Sequence, residues 1–143
     1  MSREFVALAV MGIDQHENGA IAVARVLREA QMRVDYLGKF NTPISVADKA
    51  IAMGVDVVGV SCHSWEYLSL VPQLVVELRK RGSDIPVVIG GSVITPEDGE
   101  KIRESGVSAV FTSSARADEI IECLRELSKA RKRGKSQAIQ TTA

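Results

Sequence analysis

The residues best suited to chemistry lie in one short segment, Asp14-x-His16-x-x-Gly19. A carboxylate two residues before a histidine can accept the imidazole N–H, which leaves the other ring nitrogen unprotonated and available as a metal ligand. Because no further His, Cys or carboxylate follows at ligand spacing, a metal carried inside a macrocycle fits better than a four-ligand zinc site. Taken alone, the segment could equally well be a turn without a metal, in which Asp14 is the turn former and His16 a partly exposed loop residue.

Composition and charge restrict the classes of protein to which the chain can belong. Its 143 residues are 45% hydrophobic and 25% charged, which suits one domain with one core. The 18 basic residues balance the 18 acidic ones, so we expect no nucleic-acid or membrane partner. Apolar runs are strand-sized, well short of the roughly 20 residues of a membrane span, and the N-terminus lacks the order of a signal peptide. We therefore expect a cytoplasmic protein in which Cys62 and Cys123 are buried thiols.

Alternating strand-like and helix-like segments must position the Asp14 segment. Short β-branched runs, typical of strands buried on both faces, occupy residues 5–11, 33–37, 55–61, 85–90 and 107–111. The segments between them separate apolar from charged residues with helical period. This pattern predicts a flavodoxin-like (βα)5 α/β fold, an open parallel sheet in the order 2-1-3-4-5 with helices on both faces.

Several helix boundaries can also be predicted. Thr42-Pro43 and Thr95-Pro96 each place a hydroxyl at an N-cap and a proline at the first helical position. If the third helix begins near Ser69, Pro72 lies in its first turn, where a missing N–H costs little. The last helix is expected to begin near Ser114. Residues 1–134 then form the domain and residues 135–143 a frayed, disordered tail, with the basic residues 129–135 as a solvated helix end.

Ligands bind such sheets beyond the carboxyl ends of the strands. The loops at that edge carry both histidines, the single tryptophan and Gly90-Gly91. A dinucleotide motif and a P-loop are absent from the sequence, and the carboxylates Asp14 and Glu17 would repel a flavin phosphate. A phospho-accepting receiver domain needs an aspartate at the end of the third strand and a lysine at the end of the fifth. The chain has Ser61 and Thr112 there.

Three motif blocks at strand ends carry a resemblance to a known family. Asp14-x-His16-x-x-Gly19, then Ser61, then Gly90-Gly91 resemble the D-x-H-x-x-G, S-x-L and G-G pattern of the cobalamin-binding domain of coenzyme B12-dependent mutases. In mutases of the methylmalonyl-CoA type this domain is C-terminal or a separate small subunit. The resemblance covers roughly residues 5–127, and three blocks at matching positions are more specific than one.

The resemblance implies roles for individual residues. His16 would be the lower axial cobalt ligand, replacing the cofactor's own dimethylbenzimidazole, and Asp14 would orient it. Ser61 would hydrogen-bond the displaced nucleotide tail, Gly90 and Gly91 would let the tail pass close to the backbone, and Phe111 with residues 112–114 would close the tail pocket. The implied cofactor-binding residues are Asp14, Gln15, His16, Gly19, Ser61, His63, Gly90, Gly91, Phe111, Thr112 and Ser113.

The sequence departs from the family pattern at three places. His63 stands where the family has leucine, and we expect His63 and Trp65 to fill the pocket rim rather than to supply a second metal ligand. Val10 stands where a lysine is often found four residues before the aspartate. Thr112-Ser113-Ser114 replaces a Gly-Pro-Gly-like loop, which puts the tail contacts of that loop in doubt.

The resemblance implies the cobalamin-binding subunit of an adenosylcobalamin-dependent acyl-CoA mutase. Such an isomerase would be inactive without a large barrel-type subunit that holds the acyl-CoA substrate. One alternative is a corrinoid methyl carrier of a methyltransferase system. Carriers usually have a helical bundle ahead of this domain, whereas only four residues precede the first strand here. A second alternative, a cofactor-free interaction module, predicts no cobalamin binding.

Overall fold

Strands and helices alternate along the whole chain. The computed structural model describes residues 3–12 and 16–142, with side chains described as far as residue 134. The elements are β1 (Phe5–Ala9), α1 (Asn18–Glu29), β2 (Arg33–Tyr36), α2 (Pro43–Met53), β3 (Val57–Ser61), α3 (Tyr67–Lys80), β4 (Val87–Gly90), α4 (Pro96–Glu104), β5 (Ala109–Phe111) and α5 (Ala117–Thr142). The strands pair in parallel in the order β2-β1-β3-β4-β5. The flavodoxin-like architecture predicted from the sequence is confirmed.

The core has two parts because successive residues of a strand point to opposite faces of the sheet. Ala7 of β1 faces a cluster formed with α2, α3 and α4, which includes Val46, Leu74 and Ile102. Leu8 faces a second cluster, formed with α1 and α5. The cavity described below opens on this second face.

The helix boundaries test the sequence-based predictions one by one. At Thr42 the side-chain oxygen accepts from the backbone N–H of Ser45 at 3.0 Å, and Thr95 caps α4 in the same way. Both predicted N-caps are confirmed. The prediction for Pro72 is wrong, because α3 begins at Tyr67 and places the proline inside the helix, where its missing N–H removes one hydrogen bond.

The last helix also begins later than predicted, at Ala117, and its backbone is helical as far as Thr142. The division into a domain of residues 1–134 and a disordered tail of residues 135–143 stays a prediction. In the part of the chain that the structure describes, no helix has the length and apolar character needed to cross a membrane.

A charged lock joins α5 to the edge of the sheet opposite the carboxyl ends. The guanidinium of Arg131 donates to the Val55 carbonyl at 3.1 Å and lies 3.0 Å from the Asp84 carboxylate. The buried carboxylate of Asp56 accepts from the backbone N–H of Phe5 at 2.9 Å and lies 3.6 Å from the Lys132 ammonium. The expectation of a solvated basic helix end is therefore wrong for Arg131, whose side chain is only 10% exposed.

Candidate functional site

A cavity of about 350 Å³ opens at the carboxyl edge of the sheet, on the face covered by α1 and α5. Its walls are mostly apolar, and its polar groups are hydroxyls and one imidazole. The apolar lining includes Leu8, Val23, Val88, Ile120 and Leu124, and the polar lining includes Ser61, His63, Ser92, Thr112 and Ser113. An apolar interior with a few polar groups is the usual composition of a small-molecule site.

Glycines around the cavity let neighbouring elements pack closely, and they leave space inside the cavity that side chains would fill. A Cβ on Gly59 of β3 would lie 2.6 Å from Cδ2 of Leu8, and a Cβ on Gly19 would lie 2.8 Å from Nε2 of His63. A Cβ on Gly90 would lie 3.4 Å from the Cβ and 3.5 Å from the carbonyl oxygen of Phe111, which are ordinary contact distances. Gly90 therefore leaves cavity space rather than relieving a clash.

Gly91 is required for a different reason. A Cβ there would lie 1.7 Å from the carbonyl oxygen of Cys62, because the loops after β3 and β4 pack backbone against backbone. Cys62 N–H donates to the Gly90 carbonyl at 2.7 Å, and Gly91 N–H donates to the Phe111 carbonyl at 3.2 Å. These bonds join the loop after β3 to the end of β4, and the loop after β4 to the end of β5, in one rim.

His63 lines the cavity, and His16 lies beside it. His16 is exposed, just before α1, and its ring centroid lies 5.8 Å from that of His63. Nδ1 of His63 lies 3.1 Å from Oγ of Ser92, in the loop after β4. Within residues 3–12 and 16–142, no group of three or more His, Cys, Asp or Glu side chains could hold a metal ion. Asp14 and Gln15 lie outside the described residues.

The ends of β3 and β5 complete the rim. Ser61 is the last residue of β3 and lines the cavity, and Thr112 directly follows β5, with its hydroxyl 2.9 Å from that of Ser114. Phe111 packs against the second core cluster and also lines the cavity. The structure thus places at one cavity the following predicted site residues: Gly19, Ser61, His63, Gly90, Gly91, Phe111, Thr112 and Ser113.

Sequence reasoning missed a contact beside His16. The phenol of Tyr36, at the end of β2, donates to the Glu17 carboxylate at 2.6 Å, and Nζ of Lys39 lies 3.6 Å from the second carboxylate oxygen. Burial, followed by the hydrogen bond to Glu17 and its charge, raises the pKa of Tyr36, so the phenol stays a proton donor. The available signal was the position of Tyr36 at the carboxyl end of the strand next to β1.

Solved structures support the fold assignment. A cobalamin-binding protein from Desulfitobacterium hafniense superimposes with a TM-score of 0.74 at 23% identity, over 86% of this chain and 58% of that one. A Francisella response regulator receiver domain superimposes with a TM-score of 0.70 at 18% identity, over 90% of this chain and 99% of that one. Fold and cavity together define a doubly wound α/β domain with a cavity at the carboxyl edge of its sheet, where such folds bind ligands.

Sequence comparisons identify the family. The model of the B12 binding domain family matches residues 5–122, so the chain belongs to this family, as its motifs predicted. It is 40% identical over 126 residues to the 2-hydroxyisobutanoyl-CoA mutase small subunit of Aquincola tertiaricarbonis, across 88% of this chain and 93% of that protein. It is 38% identical over 101 residues to the ethylmalonyl-CoA mutase of Cereibacter sphaeroides, across 71% of this chain but only 15% of that protein.

Proposed function

We propose that the chain is the cobalamin-binding small subunit of an adenosylcobalamin-dependent acyl-CoA mutase and works in the cytoplasm. A large barrel-type partner subunit holds the acyl-CoA. The observation that carries the proposal is the glycine-lined cavity with His16 next to His63 of its lining, in a member of the B12 binding domain family. The relatives named above are mutases, and one is a small subunit of similar length, which favours this function over a methyl carrier.

The described residues fit a cobalamin whose lower base is displaced. The cavity, at about 350 Å³, falls within the range of roughly 300–1,000 Å³ typical of small-molecule sites. Its apolar walls suit an aromatic base, and the hydroxyl of Ser61 suits the polar part of a nucleotide tail. When bound, adenosylcobalamin supplies a weak cobalt–carbon bond that starts radical chemistry.

The chain's own residues then hold and orient the cofactor. His16, which is exposed, would bind cobalt through one ring nitrogen, and Asp14 would accept a hydrogen bond from the other. Gln15 lies between them in the sequence. Ser61 would hydrogen-bond the tail inside the cavity. The tail would enter the cavity between polar groups of the rim. These are the hydroxyls of Thr112 and Ser113 and the pair formed by His63 and Ser92.

Reconstitution with hydroxocobalamin and electron paramagnetic resonance of the cob(II)alamin form test the proposal. The spectrum should report nitrogen coupling from a protein imidazole, and labelling the protein's histidine with ¹⁵N should alter that coupling. Binding with unaltered coupling would exclude a histidine ligand. Failure of the chain to bind any cobalamin, judged from its ultraviolet-visible spectrum, would favour the cofactor-free interaction module instead.

Replacement of Asp14 by alanine is expected to weaken cobalamin binding about 10 to 100-fold, the usual cost of losing a carboxylate that orients a metal-bound histidine. The imidazole should still be able to ligate cobalt, because the metal-binding nitrogen itself is unchanged. An absorbance titration measures the effect. Asp48→Ala, at an exposed position of α2, is the control and should bind like the parent. Parent-like binding by Asp14→Ala would contradict the orienting role.

The isolated chain, loaded with adenosylcobalamin, is expected to rearrange no acyl-CoA. The nucleotide tail would fill the cavity at the carboxyl edge, and a chain of 143 residues with one core is too small to hold a second pocket of CoA size as well. Incubation with a panel of acyl-CoA esters and chromatographic analysis of the products test this. The matched reaction contains the large subunit and should show turnover. Rearrangement by the isolated chain would refute the proposal that a large partner subunit is needed to hold the acyl-CoA.

A further inference from the structure

We propose that Tyr36, Glu17 and Lys39 form a clamp that positions His16 for cobalt, an inference that rests on the proposed function. Glu17 directly follows His16, so whatever fixes Glu17 restricts where the imidazole can lie. Tyr36 and Lys39 come from β2 and the loop after it. Both contact the Glu17 carboxylate and would act on His16 through it, which makes them positioning residues.

The Glu17 side chain is directed away from its own helix. It occupies the N-cap position of α1 but makes no capping hydrogen bond there. Its carboxylate instead accepts from the Tyr36 phenol at 2.6 Å and pairs with Lys39 at 3.6 Å. Its backbone carbonyl accepts from the Ile21 N–H at 2.9 Å. Glu17 thereby ties the first turn of α1 to the carboxyl end of β2.

The same loop after β2 also holds the upstream flank of the His16 segment. Gly12 N–H donates to the Asn41 carbonyl at 2.8 Å. The buried Asn41 side-chain amide donates to the Val10 carbonyl at 3.1 Å and to the Gly38 carbonyl at 2.8 Å. The segment that carries His16 is therefore fastened on both sides, at residues 10–12 and at residue 17, to residues 36–41.

The two contacts of the clamp differ in expected strength. A short hydrogen bond from a phenol to a carboxylate is charge-assisted and therefore about twice as strong as a neutral one. The Lys39 and Glu17 side chains are about one-third exposed, at 33% and 32%, and solvent weakens an ion pair of that kind. Tyr36 should therefore contribute most of the positioning and Lys39 a smaller part.

The test uses the full-length chain with Tyr36→Phe, Glu17→Ala and Lys39→Met. Two readouts are taken: hydroxocobalamin affinity by absorbance titration, and the fraction of cob(II)alamin with imidazole nitrogen coupling at saturation. Tyr36→Phe and Glu17→Ala should bind about tenfold more weakly, the equivalent of one charged hydrogen bond, and should give a mixture of coupled and uncoupled spectra. Lys39→Met should weaken binding by about twofold.

Glu29→Gln is the matched control. It neutralises a glutamate of the same helix whose ion pair with Arg25, at 3.4 Å, is exposed and far from His16 in the sequence. Both readouts should equal those of the parent. Parent-like affinity and full coupling in Tyr36→Phe and Glu17→Ala would overturn the clamp, as would a loss of thermal stability with the coupling unchanged. If Glu17→Ala does not fold, Glu17→Gln takes its place. Its amide oxygen can still accept from Tyr36 but carries no charge, so it should weaken binding less than Tyr36→Phe does, and parent-like affinity and coupling would overturn the clamp.

Hydrogen exchange of the cofactor-free chain separates failure of the clamp from failure of the proposed function. Amides of residues 12–18 should exchange faster in Tyr36→Phe than in the parent, whereas Glu29→Gln should not change them. If the parent binds no cobalamin, the proposed function fails and the exchange data alone decide whether the clamp exists. Unchanged exchange in Tyr36→Phe would overturn it.

Discussion

His16→Ala is expected to abolish the imidazole-ligated spectrum of bound cobalamin completely. Loss of the ring removes the nitrogen that we assign to cobalt, while the cavity that we propose for the tail remains intact. Residual affinity should therefore persist, with the cofactor's lower axial position taken by water or by its own base. Electron paramagnetic resonance of the cob(II)alamin form distinguishes these states directly.

The control for this variant is His63→Leu, which restores the residue that the family pattern has at this position. Nδ1 of His63 lies 3.1 Å from Oγ of Ser92, so the ring is oriented toward the loop after β4. The variant should keep full imidazole coupling. If the coupling persisted in His16→Ala and vanished in His63→Leu, the second histidine would be the cobalt ligand and the motif assignment would be wrong.

Gly91→Ala is expected to lower the free energy of unfolding by about 3 kcal/mol or more. The new Cβ would lie 1.7 Å from the Cys62 carbonyl oxygen and 2.6 Å from its carbonyl carbon, and neither is a flexible side-chain atom. The loops after β3 and β4 would have to separate, which would break the 2.7 Å hydrogen bond from Cys62 to Gly90. Urea unfolding measures the change.

The neighbouring glycine supplies the comparison. Gly90→Ala places its Cβ 3.4 Å from Phe111, so its stability should fall by about 1 kcal/mol or less. Because Gly90 lines the cavity, the added methyl group should still weaken cobalamin binding, since it would occupy space that we propose for the nucleotide tail. Equal stability of the two alanine variants would show that the loops can separate at little cost.

These comparisons show why some features could be predicted from the sequence and others could not. The strand runs and the caps at Thr42 and Thr95 are local, and the sheet order follows from parallel strands joined by helices. The start of α3 was predicted too late because the turn at Glu66, whose carbonyl accepts from Ser69 and Leu70, precedes any helical periodicity.

Within the site, the motif predicted which residues meet at the rim but not how each is used. Gly91 was expected to make room for a ligand, and its close neighbour in the structure is the backbone of Cys62. Tyr36 and Glu17 are 19 residues apart and meet only because β2 pairs with β1. Contacts of this kind depend on the packing of distant segments, which residue types and spacing do not specify.

The charged lock around Arg131 has a consequence for how the chain is made. During translation, every strand and the whole His16 segment leave the ribosome before Arg131 does. Until Arg131 emerges, the carboxylates of Asp56 and Asp84 lack the guanidinium with which they pair in the folded chain. The Val55 carbonyl likewise lacks the hydrogen bond that Arg131 donates. The sheet can form during synthesis, but α5 can be fastened to it only when residues 131 and 132 have emerged. A chain that ends a few residues before Arg131 would thus keep the residues of the cavity rim, while α5 would lack its ion pairs at the opposite edge of the sheet.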